Sequence, residues 1–205
     1  MHKISETNRK RIREAIAATE RRTSGEFVAV VAQESDHYLF FVALWAAILA
    51  LLVPGAFLLA GSDLDLLYIY AIQVGGFIVA GTALLWPPIK LRLVPRAVRH
   101  AHARRAAREQ FHLRGIHRTA EHSGVLFYVS LAERYVEIIA DEGIHARVGG
   151  DRWQEIVNLF VAEVKAGRIT DGFVAAITAI GEAMSAHYPI GPGDTNELPD
   201  GLIEI

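Results

Sequence analysis

The chain has 205 residues, 52% of them hydrophobic, and a formal net charge of -2; it holds one domain of ordinary size plus a smaller element, and is richer in apolar residues than a soluble domain requires. It has no cysteine, which excludes disulfides, thiolate metal centres and cysteine nucleophiles. The near-neutral total conceals a basic segment: Lys90 to Arg118 carries nine Lys or Arg residues against one acid, Glu109, whereas the C-terminal stretch has none.

The first segment, "MHKISETNRKRIREAIAATERR", is polar and highly charged. It lacks the apolar centre of a cleavable secretory signal, so targeting is expected to fall to later segments. Ser5 is placed to cap a helix running to about Arg22, with Ile12, Ala15, Ile16 and Thr19 on one face. "TSG" ends that helix, and "EFVAVVAQ" follows, apolar on both faces as a central strand covered on two sides requires.

From Leu39 to Ala60 there are 22 residues without a charge, and from Leu66 to Trp86 there are 21 more. Each would make a helix roughly 30 Å long, the thickness of a hydrocarbon core. The five-residue "GSDLD" between them is a polar turn, and an Asp costs roughly 3 kcal/mol at the bilayer centre. We therefore expect residues 38–86 to form a transmembrane hairpin with spans at 39–60 and 66–86. A pair of buried helices is the alternative, but so small a chain cannot cover two helices that are apolar all round. Tyr38 and Trp86 mark the two outer ends, at the aromatic belt.

Ala71 with Gly75, and Gly76 with Ala80, are spaced four apart, which suits close helix packing, either within the hairpin or in self-association. No Asp, Glu, Lys, Arg or His lies within either span, so an ion or proton pathway has nothing to be built from. Lys90, Arg92, Arg96, Arg99, Arg104 and Arg105 follow the second span. They predict a membrane-facing basic segment that attracts anionic lipid and, by the positive-inside rule, puts both chain ends in the cytoplasm of an inner (plasma) membrane protein. Nucleic-acid binding is not expected, since no aromatic platform interleaves the charges.

Ile89 to Arg114 is helix-permissive. "GVLFYVSLAERYVEIIADEGI" then reads as two strands, Gly124–Ser130 and Tyr135–Ala140, joined by a turn. A helix from Asp151 carries Trp153, Ile156, Val157, Phe160, Val161 and Val164 on one face. Another from Thr170 turns Phe173, Ile177, Ile180 and Met184 inward. Residues 189–205, rich in Pro, Gly and acids, read as a flexible tail. The order implies a compact α/β layer with three or four strands, divided into residues 1–37, the hairpin 38–86, and 87–188.

"SGEFVAVV", "GVLFYVSLAERYVEIIADEGI" and "VAEVKAGRITDGFVAAITAIGEAM" together resemble the TPM domain family, named after a thylakoid lumen protein, a photosystem II repair factor and a modulator of a nematode acetylcholine receptor. The resemblance implies a small α/β sandwich, here interrupted by the hairpin. It also implies two kinds of activity: acid phosphatase or calcium-binding chemistry through acidic loops, or non-enzymatic accessory work on membrane complexes. Asp141, Glu142 and Asp151 are the acidic residues at a matching loop and the candidate metal ligands, with calcium the candidate ion. Three carboxylates supply only part of the six or more oxygens calcium takes, and each also suits a turn or a helix start. Nucleophile, phosphate cradle and cationic clamp do not converge in the sequence. His100, His102, His112, His117 and His122 lack the three-or-four spacing that stacks ligands on a helix face. The expectation is a non-catalytic interaction module without a cofactor, with a membrane protein or complex as partner; a metal-assisted phosphatase is the alternative.

Overall fold

The computed structural model describes residues 5–61, 63–119, 121–191 and 201–205. Two compact units emerge: residues 1–35 with 103–205, and residues 36–102.

In the first unit, helix α1 (Glu6–Glu20) starts where Ser5 Oγ accepts the Asn8 N–H, and buries Ile12, Ile16 and Thr19. The sheet follows from three apolar runs: β1 (Phe27–Ala32), β2 (Val125–Ser130) and β3 (Tyr135–Ala140). β1 pairs in parallel with β2, and β2 pairs antiparallel with β3. Period-two alternation divides β1 and β2 between two cores. Phe27, Ala29, Val31, Val125, Phe127 and Val129 face one, and Val28, Val30, Ala32, Leu126 and Tyr128 face the other. Both strands are buried throughout, as the run of apolar residues in "EFVAVVAQ" predicts for β1.

The first core is covered by α1, α7 (Gly150–Lys165) and α8 (Ile169–Ser185). Its centre is an edge-to-face trio, with Phe127 5.3 Å from Phe160 and 5.8 Å from Phe173. The second core lies under the C-terminal half of α5 (Arg96–Leu113), through Ala107 and Phe111, and under Ile116. A Cβ on Gly124 would stand 2.2 Å from the Ile116 carbonyl oxygen, so only glycine lets that turn cross the start of β2.

Three elements differ from the sequence expectations. The segment read as a flexible tail ends in a strand: β4 (Leu202–Glu204) pairs in parallel with β1, giving the order β3-β2-β1-β4. It forms because the outer edge of β1 offers free backbone groups: Gln33 N–H donates to Ile205 O and Ile205 N–H to Val31 O, while Glu204 meets Arg9 at 2.7 Å. Residues 192–200 of that tail lie outside the described residues. The acidic loop after β3 folds as α6 (Glu142–Val148), with Asp141 as its N-cap. The basic helix expected from Ile89 is broken, because Pro95 holds Val94 in extended backbone and separates α4 (Pro87–Leu93) from α5.

In the second unit, α2 (Leu39–Leu59) and α3 (Leu66–Leu84) pack on each other and are long and apolar enough to cross a membrane. Val42, Ala46 and Ala50 form the buried seam of α2. On α3, Gly76 approaches Val53 and Gly81 approaches Ala46, whereas Gly75 meets nothing within 4 Å. The spacing of Gly76 and Ala80 thus coincides with the seam, while Ala71 and Gly75 lie on an exposed face. Asp65 caps α3 through the Leu67 N–H.

Candidate functional site

β3 ends the sheet, and its free edge is the floor of a groove. The Asp141 N–H donates to Gly124 O. With the β2–β3 register, the antiparallel alternation turns the backbone groups of Tyr135, Glu137 and Ile139 toward β2. Those of Val136, Ile138 and Ala140 therefore point out of the sheet.

Side chains divide the other way. Val136, Ile138 and Ala140 pack toward the first core, and Tyr135 and Ile139 toward the second. Two adjoining clefts of about 360 and 270 Å³ follow this edge. One wall is α7, with Trp153, Gln154 and Val157; the other is α5, with Arg104 and Arg108; His145 of α6 stands at both clefts. Trp153 is 5% exposed, and its indole N–H has no acceptor among the described residues. A buried donor left this way costs about 1–3 kcal/mol.

On the α5 wall, the Tyr135 hydroxyl donates to Glu137 Oε2 at 2.9 Å, and Arg104 lies 3.5 Å from Glu137 Oε1. Burial, with the Glu137 charge behind it, pushes the Tyr135 phenol well above its ordinary range. It is a hydrogen-bond donor at every physiological pH. Arg108 forms no salt bridge among the described residues, so this wall keeps a surplus of positive charge. An exposed edge of alternating donors and acceptors, an apolar wall and a basic wall together suit an extended polypeptide.

The TPM domain family model matches residues 93–183, from the end of α4 through most of α8. Residues 93–183 carry a TPM domain. The BA42 protein of the psychrophilic bacterium Bizionia argentinensis shares the fold, with a TM-score of 0.62 at 20% identity over 100% of this chain and 97% of that one. No curated protein matches the chain.

Within the TPM domain one of the acidic loop residues, Asp141, is already engaged. Asp141 Oδ1 accepts the Glu142 N–H at 2.9 Å, and Oδ2 lies 3.2 Å from His122 Nδ1. Glu142 stands in the first turn of α6 and Asp151 in the first turn of α7. Among the described residues no three His, Cys, Asp or Glu side chains are grouped to hold a metal ion.

The basic segment separates into different environments. Lys90 is 7% exposed, so it is a buried residue and not a membrane-facing one. Arg92 and Arg96 are exposed, Arg99 is half-buried, and Arg105 is exposed; Arg104 turns to Glu137 at the groove. Tyr38, expected at a membrane interface, is 2% exposed, with its ring 5.6 Å from His102.

Sequence reasoning missed the groove because Trp153 and Arg104 are 49 positions apart and belong to different patterns, one apolar and one basic. The only available signal was the "SLAERYVEIIA" hairpin, which makes its second strand a candidate edge.

A second polar cluster lies at the C-terminal ends of β1 and β2. The Tyr128 hydroxyl and Ser35 Oγ are 3.0 Å apart, Ser35 Oγ donates to Ser130 Oγ at 3.0 Å, and Ser130 Oγ donates to Glu133 Oε2. Proton accounting then makes Tyr128 the donor to Ser35, with the series ending on the carboxylate. Glu133 Oε1 also accepts the Ser35 N–H at 3.0 Å. Ser130 and Glu133 are 1% and 2% exposed, which makes this cluster an internal fastening of the β1 exit.

Proposed function

We propose that this chain is an integral membrane protein whose cytoplasmic TPM domain is a non-catalytic interaction module, serving a membrane protein or complex as an accessory or assembly factor. The observation that carries this reading is the groove beside β3, where an open strand edge and a buried indole N–H await partners. The anchor is the α2–α3 hairpin in the inner membrane. The basic residues after Trp86 favour cytoplasmic ends, and the turn "GSDLD", which has no Lys or Arg, favours the outside.

Two measurements test it. The chain has no native cysteine, so Asp63→Cys gives a single thiol; a membrane-impermeant maleimide added to intact cells labels it if the turn is external. A photo-crosslinking residue at the groove position Gln154 gives a discrete adduct in living cells, and the same residue at exposed Thr178 on α8 does not. No Gln154 adduct, or an identical one from Thr178, defeats the interaction reading.

The second reading is a metal-assisted phosphatase. It is supported by the name of the matched domain model, which couples TPM with phosphatase, and by the acidic helix starts at Asp141, Glu142 and Asp151. Calcium or magnesium would be its ion. Turnover of a generic phosphomonoester that depends on either ion and disappears in Asp141→Asn replaces the interaction reading with this one.

A further inference from the structure

We propose that the β3 groove takes an extended segment of a partner protein as an additional strand, and that the segment's side chains alternate apolar and acidic. The proposal rests on the interaction reading and specifies its ligand. An added strand continues the ladder through the outward backbone groups of Val136, Ile138 and Ala140, and its own side chains alternate between the two faces of the sheet. On one face they meet Trp153 and Val157, which call for an apolar residue; on the other they meet Arg104 and Arg108, which call for an acid. Trp153 lines the groove and is 5% exposed, and its indole N–H, without an acceptor among the described residues, is the second and independent sign of a ligand. It is matched by an acceptor oxygen brought into the groove.

The other edge of the sheet already carries an added strand, β4 on β1. There "LIE" of β4 alternates Leu202 toward the first core and Ile203 toward the second, and Arg9 holds Glu204 at 2.7 Å. A second copy of the chain is the competing occupant of the β3 edge. Pairing β3 with its two-fold mate would set the exposed Arg104, Arg105 and Arg108 of two α5 helices on one joined sheet, and that like-charge approach disfavours it.

The test uses the full chain in detergent micelles, with a synthetic peptide of alternating Val and Glu as long as β3, six residues, and a Val and Lys peptide as control. At saturation the Val/Glu peptide moves the Trp153 indole resonance and slows hydrogen exchange at the Val136 and Ile138 amides by about tenfold or more; the Val/Lys peptide does neither. Trp153→Phe keeps an aromatic ring at the groove but removes the N–H, and weakens Val/Glu binding by about fivefold to tenfold, the loss of one hydrogen bond. Arg104→Glu with Arg108→Glu transfers the preference to the Val/Lys peptide. Unprotected β3 amides, equal binding of both peptides, or dimerisation through β3 overturns the proposal. If it is overturned while the Gln154 adduct persists, the module binds something other than a strand; if the adduct is also missing, the interaction reading fails with it.

Discussion

Single residues at the two strand exits have opposite sensitivities. Glu133 is buried, receives the Ser35 N–H and the Ser130 hydroxyl, and ends a series of donors that begins at Tyr128. Burial is the main reason that the Tyr128 phenol is pushed above its ordinary range. Removing the carboxylate leaves the buried Ser130 hydroxyl and the part-buried Ser35 N–H without that acceptor, so Glu133→Ala is expected to destabilise the TPM domain by about 2–3 kcal/mol. Glu133→Gln keeps an acceptor for Ser35 and is expected to cost about 1–2 kcal/mol; chemical denaturation of the two variants checks the ranking.

Asp36 behaves differently because it is partly exposed. Burial raises its pKa, but the Tyr38 N–H at 2.9 Å and His102 Nδ1 at 2.6 Å outweigh it and hold the carboxyl below its ordinary value of 3.8. A lowered carboxylate stabilises the fold fully above the unfolded value and loses that contribution as pH falls through the folded one. The Tyr38 amide resonance is therefore expected to titrate below pH 3.8 and to lose that titration in Asp36→Asn.

Elements differ in how much of their existence their own residues announce. β4 has only three residues and no period of its own, and is held by β1 and Arg9. Deleting residues 202–205 is expected to raise hydrogen exchange at the outward amides of β1 while leaving β2 and β3 protected; equal exchange across the sheet would contradict that division. The strands β1, β2 and β3 and the helices α1, α7 and α8 were legible because each runs long enough to display a period of two or of three to four. α6 was not: its seven residues contain Gly143, and nothing in "EGIHARV" distinguishes a short helix from a loop. The groove was partly hidden for a related reason. Trp153 shows the spacing of a core residue and Arg104 the charge of a membrane-proximal one, and only the adjacency of α5 to β3 gives them a common site. The expected role of Lys90 failed at the same point, because a sequence shows charge but not burial.

At the scale of the whole molecule, the question is how a sheet tolerates a hairpin between its two central strands. β1 and β2 are parallel, so some crossover must join them, and the C-terminal half of α5 supplies the helix that covers the second core. The hairpin is additional to that requirement. The first residue of the inserted unit that contains it, Asp36, and the last, His102, are hydrogen-bonded at 2.6 Å. The inserted unit therefore leaves and returns at one point, the condition under which insertions into a folded domain are tolerated. Lengthening such a connection costs little, about 0.6 kcal/mol for each doubling of a flexible loop. Joining Ser35 to Ala103 through a short Gly/Ser linker is thus expected to give a soluble domain that keeps the order β3-β2-β1-β4. It should also keep both cores and the β3 groove, since every residue of these lies in residues 1–35 or 103–205. The measurement is a heteronuclear NMR spectrum of the excised domain in water without detergent, with amide-to-amide contacts between β1 and β2. Dispersed resonances and those contacts support a self-sufficient domain; a collapsed spectrum would mean that β1 depends on the hairpin to reach its place beside β2.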